Sequence, residues 1–257
     1  HITKNIRIND IKVNNLSDGS GLGISHSAEN IMVSDCQFIN VQHRGIRLDC
    51  ADTGDYINNT IFNDILIKNS HTNSIEINDN VTNAEFNDIT IEIHNIETKG
   101  ISIMGDSQNI FFSNIKMNLD DAYRGLIVTS DANPDCAKFN NLKIVGNNLN
   151  NAIRLQQTTE INNLNLNVVS SGSDIYIESG ADNSVITTLN EQQPVGDDFD
   201  VTDNANYTVI NGLAFETSGA DKPQGVYPRG TIISFTDSVD GSGDGVYMQY
   251  QSGTIKL

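Results

Sequence analysis

The sequence predicts an all-β chain, a right-handed parallel β-helix followed by a small antiparallel β module, from three observations. A strand-like phrase recurs at least seven times between residues 5 and 190. A second phrase is interleaved with it and drifts with the same period. The composition is rich in Ile, Asn, Asp, Gly and Ser and lacks Trp, which suits short β-branched strands separated by turns. Two phrases that share one period of 22–29 residues indicate the stacked coils of a solenoid rather than a sandwich.

The first phrase is an apolar residue, a small polar residue, Asp or Asn, and then two apolar residues one position apart, as in residues 62–67 (FNDILI). Its Asp or Asn anchor recurs at Asp10, Asp35, Asp64, Asp88, Asn114, Asn141 and Asn163. Stacked coils lie about 4.8 Å apart, so equivalent residues form columns. We expect left-handed turn geometry at the anchors and an internal aromatic column of Phe62, Phe86, Phe112 and Phe139. Cys36 falls in an apolar column and is expected to be a buried thiol that packs.

The second phrase is a small residue followed by apolar, variable and apolar residues, as in residues 45–48 (GIRL). Its first apolar residue recurs at Leu22, Ile46, Ile75, Ile101, Leu126, Ile153 and Ile175. Such alternation predicts a strand with one buried face, so the variable residue points outward.

Charged residues gather on that outward face, in a chain with only 15 basic residues. Asp49 and Glu76 are diagonal neighbours on adjacent coils, with Cα atoms roughly 8 Å apart, and are the candidate catalytic carboxylates. The candidate substrate-binding residues are His43, Arg44, Arg47, His71, Lys99, Arg124 and Arg154. For each of them, a solvated charged face is the simpler explanation.

Residues 30–49 (NIMVSDCQFINVQHRGIRLD) resemble the coils of the pectin-lyase-like superfamily. The resemblance covers roughly residues 5–190 and implies a protein that binds and cleaves, isomerises or epimerises polysaccharide. The Asp-Asp and Gly-His-Gly signatures of polygalacturonases are not visible. Lyase chemistry remains open beside hydrolysis, because Arg44, Arg47, Lys99 and Arg124 could neutralise a uronate carboxylate.

The repeats stop near residue 190, so the sequence predicts a β-helix domain over 1–190 and a β-rich trimerisation or capping module over 191–257. Strands are expected at residues 231–235, 246–250 and 254–257. The loop from Asp240 to Asp244 is interpreted as a simple turn, with calcium binding left open. The pattern in residues 227–247 is similar to the ends of bacteriophage tailspike depolymerases. That resemblance implies a homotrimer, and a particle-binding part and early coils ahead of residue 1.

Net charge and cysteine content exclude several classes. The formal charge of −18 argues against nucleic acid as a partner, since nucleic acid favours a basic surface. No apolar run is long enough to insert into a membrane. Three widely spaced cysteines form neither a disulfide framework nor a zinc signature, and Asp52 and Asp55 read as loop residues, so no metal or cofactor is predicted.

The sequence therefore predicts a tailspike-like protein of the virion tail or extracellular space. Its partner is a bacterial surface polysaccharide (capsule, O-antigen or exopolysaccharide), which it binds and cleaves as a glycoside hydrolase or polysaccharide lyase. The alternatives are a non-catalytic carbohydrate-binding adhesin fibre and a secreted polysaccharide lyase or epimerase. Release of reducing sugar or of 232 nm absorbance separates enzyme from fibre, and a trimer favours the tailspike over a secreted enzyme.

Overall fold

We describe a computed structural model of the chain. It describes residues 2–50, 52, 54–94, 97–191, 201–205 and 208–210, together with the backbone pairing of the strands at 213–218, 232–237, 245–250 and 253–256. All regular secondary structure in these residues is β-strand. The described residues contain no helix long and apolar enough to cross a membrane.

Twenty-three strands make up the described structure. In chain order they are β1 (Thr3–Asn9), β2 (Lys12–Leu16), β3 (Leu22–Ser25), β4 (Ala28–Val41), β5 (Arg44–Asp49), β6 (Ile57–Lys68), β7 (Asn73–Asn78), β8 (Val81–His94), β9 (Lys99–Ile103), β10 (Gln108–Asp120), β11 (Arg124–Val128), β12 (Ala137–Leu149), β13 (Asn151–Leu155), β14 (Glu160–Ser170), β15 (Ile175–Ile177), β16 (Val185–Ile186), β17 (Leu189–Glu191), β18 (Val201–Asp203), β19 (Thr208–Ile210), β20 (Leu213–Ser218), β21 (Ile232–Asp237), β22 (Gly245–Tyr250) and β23 (Gly253–Lys256).

These strands form two sheets that share one solenoid. Sheet A contains 15 strands, among them the long strands β4, β6, β8, β10, β12 and β14, and sheet B contains the eight short strands β3, β5, β7, β9, β11, β13, β15 and β18. Coils one to seven run from β1 to β15: the first contributes β1 and β2 to sheet A and β3 to sheet B, and each later coil contributes one long and one short strand. Neighbouring coils pair in parallel throughout, so the predicted parallel β-helix is confirmed.

Left-handed residues bend the long strands. All seven anchors of the first phrase have positive φ angles between 53° and 57°, as the sequence predicted. In β6 the anchor Asp64 and the preceding Asn63 both point away from the core, after which the buried alternation resumes at Ile65. A left-handed residue therefore turns the wall of the coil without moving the next apolar side chain off the core face.

Amide side chains link the bends of successive coils. Asn114 donates to Asp88 at 3.0 Å, Asn141 to Asn114 at 2.9 Å and Asn163 to Asn141 at 2.6 Å. A second column, which the sequence analysis did not single out, contains left-handed Asn residues one coil apart. Its members are Asn5, Asn30, Asn59, Asn83 and Asn109. Asn tolerates this backbone geometry and satisfies its neighbour, which explains its abundance.

The core is a continuous apolar column inside the coils. Phe62, Phe86, Phe112 and Phe139 are fully buried and stack face to face, with ring centroids 4.6–4.8 Å apart, as predicted. Cys36 is 1% exposed and pairs in register with Ile65, which confirms a buried packing role. Cys50 and Cys136 are also buried and free.

The parallel pairing continues beyond the repeats visible in the sequence. β18 pairs with β15, and β19 pairs with β16, so the coil geometry reaches Ile210. β21, β22 and β23 then pair antiparallel, which confirms the expected C-terminal strands. The loop from Asp240 to Asp244 lies outside the described residues. The division into two modules at residue 190 stays a prediction.

Candidate functional site

The outer face of sheet B holds the candidate site residues in regular columns. Arg47 lies between Gly23 of the coil before and Glu76 of the coil after, and the register continues to Ser102. A parallel column runs from Arg44 through Asn73 and Lys99 to Arg124. The predicted placement of these charged residues on one face is therefore confirmed.

Close packing beneath the face fixes where β5 lies. A Cβ atom at Gly45 would meet Ile67 Cγ2 at 2.4 Å and the carbonyl oxygen of Ser74 at 2.7 Å. Only a residue without a side chain fits this corner of the second coil, which explains the glycine that begins the phrase there. The buried Ile46 and Leu48 then anchor the strand and direct Arg47 outward between them.

A groove of about 430 Å³ opens on this face over the first two coils. Its walls are formed by residues of the turn before β3, of β3 and of β5. The lining residues are Gly19, Ser20, Gly23, Ile24, Ser25, His43, Arg44, Arg47 and Asp49. Four of the residues predicted from sequence thus line one groove, whose volume lies within the range of small-ligand sites. Gly23 keeps it open, since a Cβ atom there would meet nothing within 4 Å.

Arg47 links the two candidate catalytic carboxylates. Its Nη2 pairs with Asp49 Oδ2, and its Nε lies 3.4 Å from Glu76 Oε1. That Nε is buried and is not aligned with any hydrogen-bond acceptor among the described residues. One guanidinium therefore lies between the two carboxylates and retains an unfilled donor beside the groove.

Both carboxylates have further partners. Glu76 is 3% exposed, and its Oε2 accepts hydrogen bonds from Arg44 Nε at 2.9 Å and from Asn73 Nδ2. Asp49 is 5% exposed, and its Oδ1 accepts from Asn78 Nδ2 at 3.1 Å. Although both side chains point away from the core, their neighbours cover them. A substrate oxygen or a water molecule reaches the space between them only if Arg47 moves.

The two predicted histidines flank this network. His43 Nε2 lies 3.2 Å from Asp18 Oδ1 at the groove edge. The backbone N–H of His71 donates to the carbonyl oxygen of His43 at 3.1 Å, so the two histidines occupy equivalent turns of adjacent coils, as predicted. His71 is not among the residues that line the groove.

Arg124 and Arg154 belong to a second cluster, further along the same face. Arg124 lies 4.1 Å above the ring centroid of Tyr123 and donates to its hydroxyl at 3.0 Å. Arg154 pairs with Glu178 and lies 5.6 Å above the ring of Tyr176. The structure thus separates these two arginines from the groove.

Burial perturbs one charge in the second cluster. Arg124 is 6% exposed, and desolvation is the main cause that lowers its pKa below the ordinary value. The nearby positive charge of Arg154 lowers it further. An arginine remains charged even so, and Arg124 therefore favours an anionic or hydrogen-bond-accepting partner.

Sequence reasoning did not assign roles to several residues that the fold brings to the face. Asn73 and Asn78 hold the carboxylates, and Ser20 and Gly23 form the groove wall. The repeat period could have found them, because Gly23, Arg47 and Glu76 occupy the same position of the second phrase. In the turn ahead of β3, Ser20 occupies the repeat position of Arg44, whereas the place of Gly19 beside His43 follows from the three-dimensional fold.

Comparisons with known proteins give little further guidance. No protein-family model matches the chain, and no curated protein matches it in sequence. A solved structure that resembles it is the catalytic unit of a thermostable GH87 alpha-1,3-glucanase from Streptomyces thermodiastaticus strain HF3-3, with 11% identity and a TM-score of 0.23. The match covers 82% of this chain, and the chain spans about half, 48%, of that catalytic unit. At this TM-score the function has to be argued from the residues themselves.

Proposed function

We propose that the chain binds a bacterial surface polysaccharide on the outer face of sheet B and cleaves it there, as a tailspike-like protein. The observation that carries this proposal is the groove of about 430 Å³ whose wall contains His43, Arg44, Arg47 and Asp49. Glu76 adjoins it through its ion pairs with both arginines.

The chemistry of the groove suits a sugar ring. Guanidinium groups donate several hydrogen bonds in a fixed plane, and carboxylate oxygens accept bonds from hydroxyl groups. Arg44 and Arg47 supply the donors, and Asp49 supplies the acceptor. The Nε of Arg47 is buried and has no aligned acceptor, so a bound hydroxyl or carboxylate accepts from it only after the Arg47 side chain moves.

Cleavage is proposed to use Asp49 and Glu76. Two carboxylates that flank a glycosidic bond can act as acid and as base or nucleophile. In the free protein Arg47 separates them, so substrate binding has to draw Arg47 toward the sugar before either carboxylate can reach the bond. In a lyase, the same arginines would instead neutralise a uronate carboxylate next to the abstracted proton.

A non-catalytic carbohydrate-binding fibre is the second candidate, and one observation favours it. Asp49 and Glu76 are each nearly buried and fully engaged by neighbours that also stabilise the strands. A carboxylate held in that way anchors the strands and is not free to approach a glycosidic bond. Under this alternative, the arginines bind glycan and nothing is cleaved.

The proposal places the chain at the virion tail or outside the cell, as a homotrimer. Its support is the resemblance of the C-terminal pattern to tailspike ends and the antiparallel strands β21 to β23 that follow the solenoid. Light scattering of the full chain and of a chain that ends near Asn190 tests it. A monomeric full chain rejects the trimer, and a shortened chain that stays trimeric places the interface on the solenoid.

A glycan screen tests the activity. The purified chain is mixed with capsular, O-antigen and exopolysaccharide preparations, and both binding and release of reducing ends or of 232 nm absorbance are followed. We expect Gly23→Leu to fill the groove and abolish binding without loss of thermal stability, since its Cβ has free space. Gln37→Leu, at an exposed strand position on sheet A, is the matched control and keeps full binding.

The outcomes separate the two candidates. Binding with product release that Glu76→Gln abolishes supports the enzyme. Binding without product from any polysaccharide supports the fibre. If Gly23→Leu binds as tightly as the unaltered chain, the groove is not the glycan site.

A further inference from the structure

A histidine and two aspartates from adjacent coils meet at one corner of the solenoid. His26 Nδ1 lies 3.0 Å from Asp55 Oδ2 and 3.3 Å from Asp52 Oδ2. The ligand atoms of all three side chains lie within 4.8 Å of one another. His26 directly follows β3, whereas Asp52 and Asp55 lie in the loop between β5 and β6.

The coil register explains why these residues meet. Ala28 pairs with Ile57, a step of 29 residues, and the same step joins His26 to Asp55. Asp52 and Asp55 are loop residues, as the sequence predicts, and the 29-residue step brings their loop to the turn that holds His26. Ser27 Oγ donates to Asp55 Oδ1 at 2.7 Å, which leaves Oδ2 directed at His26.

The spacing of these donors fits a small divalent ion. Ligands bound at about 2.0–2.1 Å in a tetrahedron lie about 3.3 Å apart. The two distances from His26 Nδ1, 3.0 and 3.3 Å, are close to that edge length. Two carboxylates also balance a charge of +2 when the imidazole is neutral.

Other histidine–aspartate pairs show what is particular to this one. His43 pairs with Asp18, and His94 Nδ1 lies 3.2 Å from Asp120 Oδ2. Across the described residues, only the corner at His26 gathers three groups of this kind within reach of a single ion. An ordinary surface ion pair needs only one carboxylate beside the imidazole, whereas His26 has two.

We infer that His26, Asp52 and Asp55 bind one divalent transition metal ion of the zinc class. An imidazole nitrogen with two carboxylate oxygens favours zinc over calcium, which prefers six to eight oxygen ligands. The ion fastens the loop between β5 and β6 to the turn after β3. Because Ser25 lines the groove and precedes His26, the ion steadies one wall of the groove. The inference holds whether or not the groove binds glycan.

Calorimetric titration of the full, untagged chain with ZnCl2 tests this inference, with CaCl2 as the competing ion and Co2+ absorption as a report on coordination. We expect one Zn2+ per chain, and Zn2+ should raise the thermal unfolding temperature. His26→Asn removes the imidazole and keeps a residue that tolerates the left-handed φ of 61° at this position. It should weaken Zn2+ binding at least tenfold, as should Asp55→Asn.

Asp120→Asn is the matched control, because it removes the carboxylate of a two-group pair, and its Zn2+ affinity should equal that of the unaltered chain. The inference is overturned if the unaltered chain binds no Zn2+, if it binds Ca2+ instead, or if His26→Asn binds Zn2+ undiminished. Equal weakening by Asp120→Asn would also overturn it, since binding would then be spread over surface pairs.

Discussion

Two adjacent phenylalanines give a sharp test of how the solenoid is stabilised. Phe112 is fully buried and stacks on Phe86 at 4.8 Å and on Phe139 at 4.6 Å, whereas Phe111 is 42% exposed. Both belong to β10 and differ by one position along the strand. The free energy of unfolding of Phe112→Ala and of Phe111→Ala therefore compares the core with the surface at one place.

The expected loss follows from the stack. Truncation of a buried Phe costs about 3–5 kcal/mol, which includes the cavity that remains. Each of the two stacking contacts of Phe112, with Phe86 and with Phe139, contributes about 0.5–1.5 kcal/mol. Because β8 and β12 hold Phe86 and Phe139 by backbone pairing on both sides of β10, the rings cannot collapse into the space, and the loss should lie in the upper half of that range.

Urea unfolding followed by tyrosine fluorescence measures the difference, since the chain has seven Tyr and no Trp. Phe112→Ala should lose about 4–5 kcal/mol. Phe111→Ala should stay within about 0.5 kcal/mol of the unaltered chain. Losses that agree within about 1 kcal/mol would show that the aromatic column does not stabilise the solenoid, and the account of the core would fail.

Three further predictions concern a carboxylate, a bend and the thiols. Burial raises the pKa of Asp203 in the folded protein above its unfolded value of about 3.8. The stability of the fold therefore decreases as the pH rises above about 3.8, because the buried carboxyl has to lose its proton. Asp203→Asn should for this reason raise the thermal unfolding temperature at pH 7 and not at pH 3. Asn141 has a φ of 56°, so Asn141→Ala should lose about 1–2 kcal/mol in urea unfolding and Asn141→Gly clearly less. Burial raises the pKa of Cys50 and of Cys136 to about 12, so a thiol reagent at pH 8 should modify neither until the chain is unfolded.

Each of these predictions has an outcome that contradicts it. A stability gain of Asp203→Asn that is equal at both pH values would exclude a titration effect. Equal losses for the Ala and Gly variants would show that the amide contacts, and not the left-handed backbone, stabilise the bend. Rapid modification of Cys50 or Cys136 in the folded chain would show that the coils open around these thiols.

The fold was predictable because every coil of a solenoid needs the same kinds of residue at the same positions. The anchor residues, the aromatic column and the outward position of Arg47 all follow from counting one period along the sequence. Local chemistry reinforces each position, since Asn suits the bend and glycine suits the corner at Gly45.

The site was predictable only in outline. The period places Asp49 near Glu76, but it does not reveal that Arg47 pairs with both, because that depends on side-chain direction. The groove also depends on Gly19, in the turn ahead of β3, which neither of the two repeated phrases contains. The corner at His26 depends on a loop that belongs to the longest coil, where the step lengthens to 29 residues.

The aromatic column also has a consequence for how the chain finds its register. Coils this similar could pair with the wrong neighbour and still satisfy most backbone hydrogen bonds. A misfolded chain that skips one coil would therefore lose few hydrogen bonds relative to the native state. The phenylalanines occupy only four consecutive coils, and the column ends at Val33 on one side and Ile161 on the other. A skipped coil would place a ring against an aliphatic side chain, or leave one ring unstacked. Stacking of the four rings therefore favours the native pairing of these coils over a pairing that skips one coil.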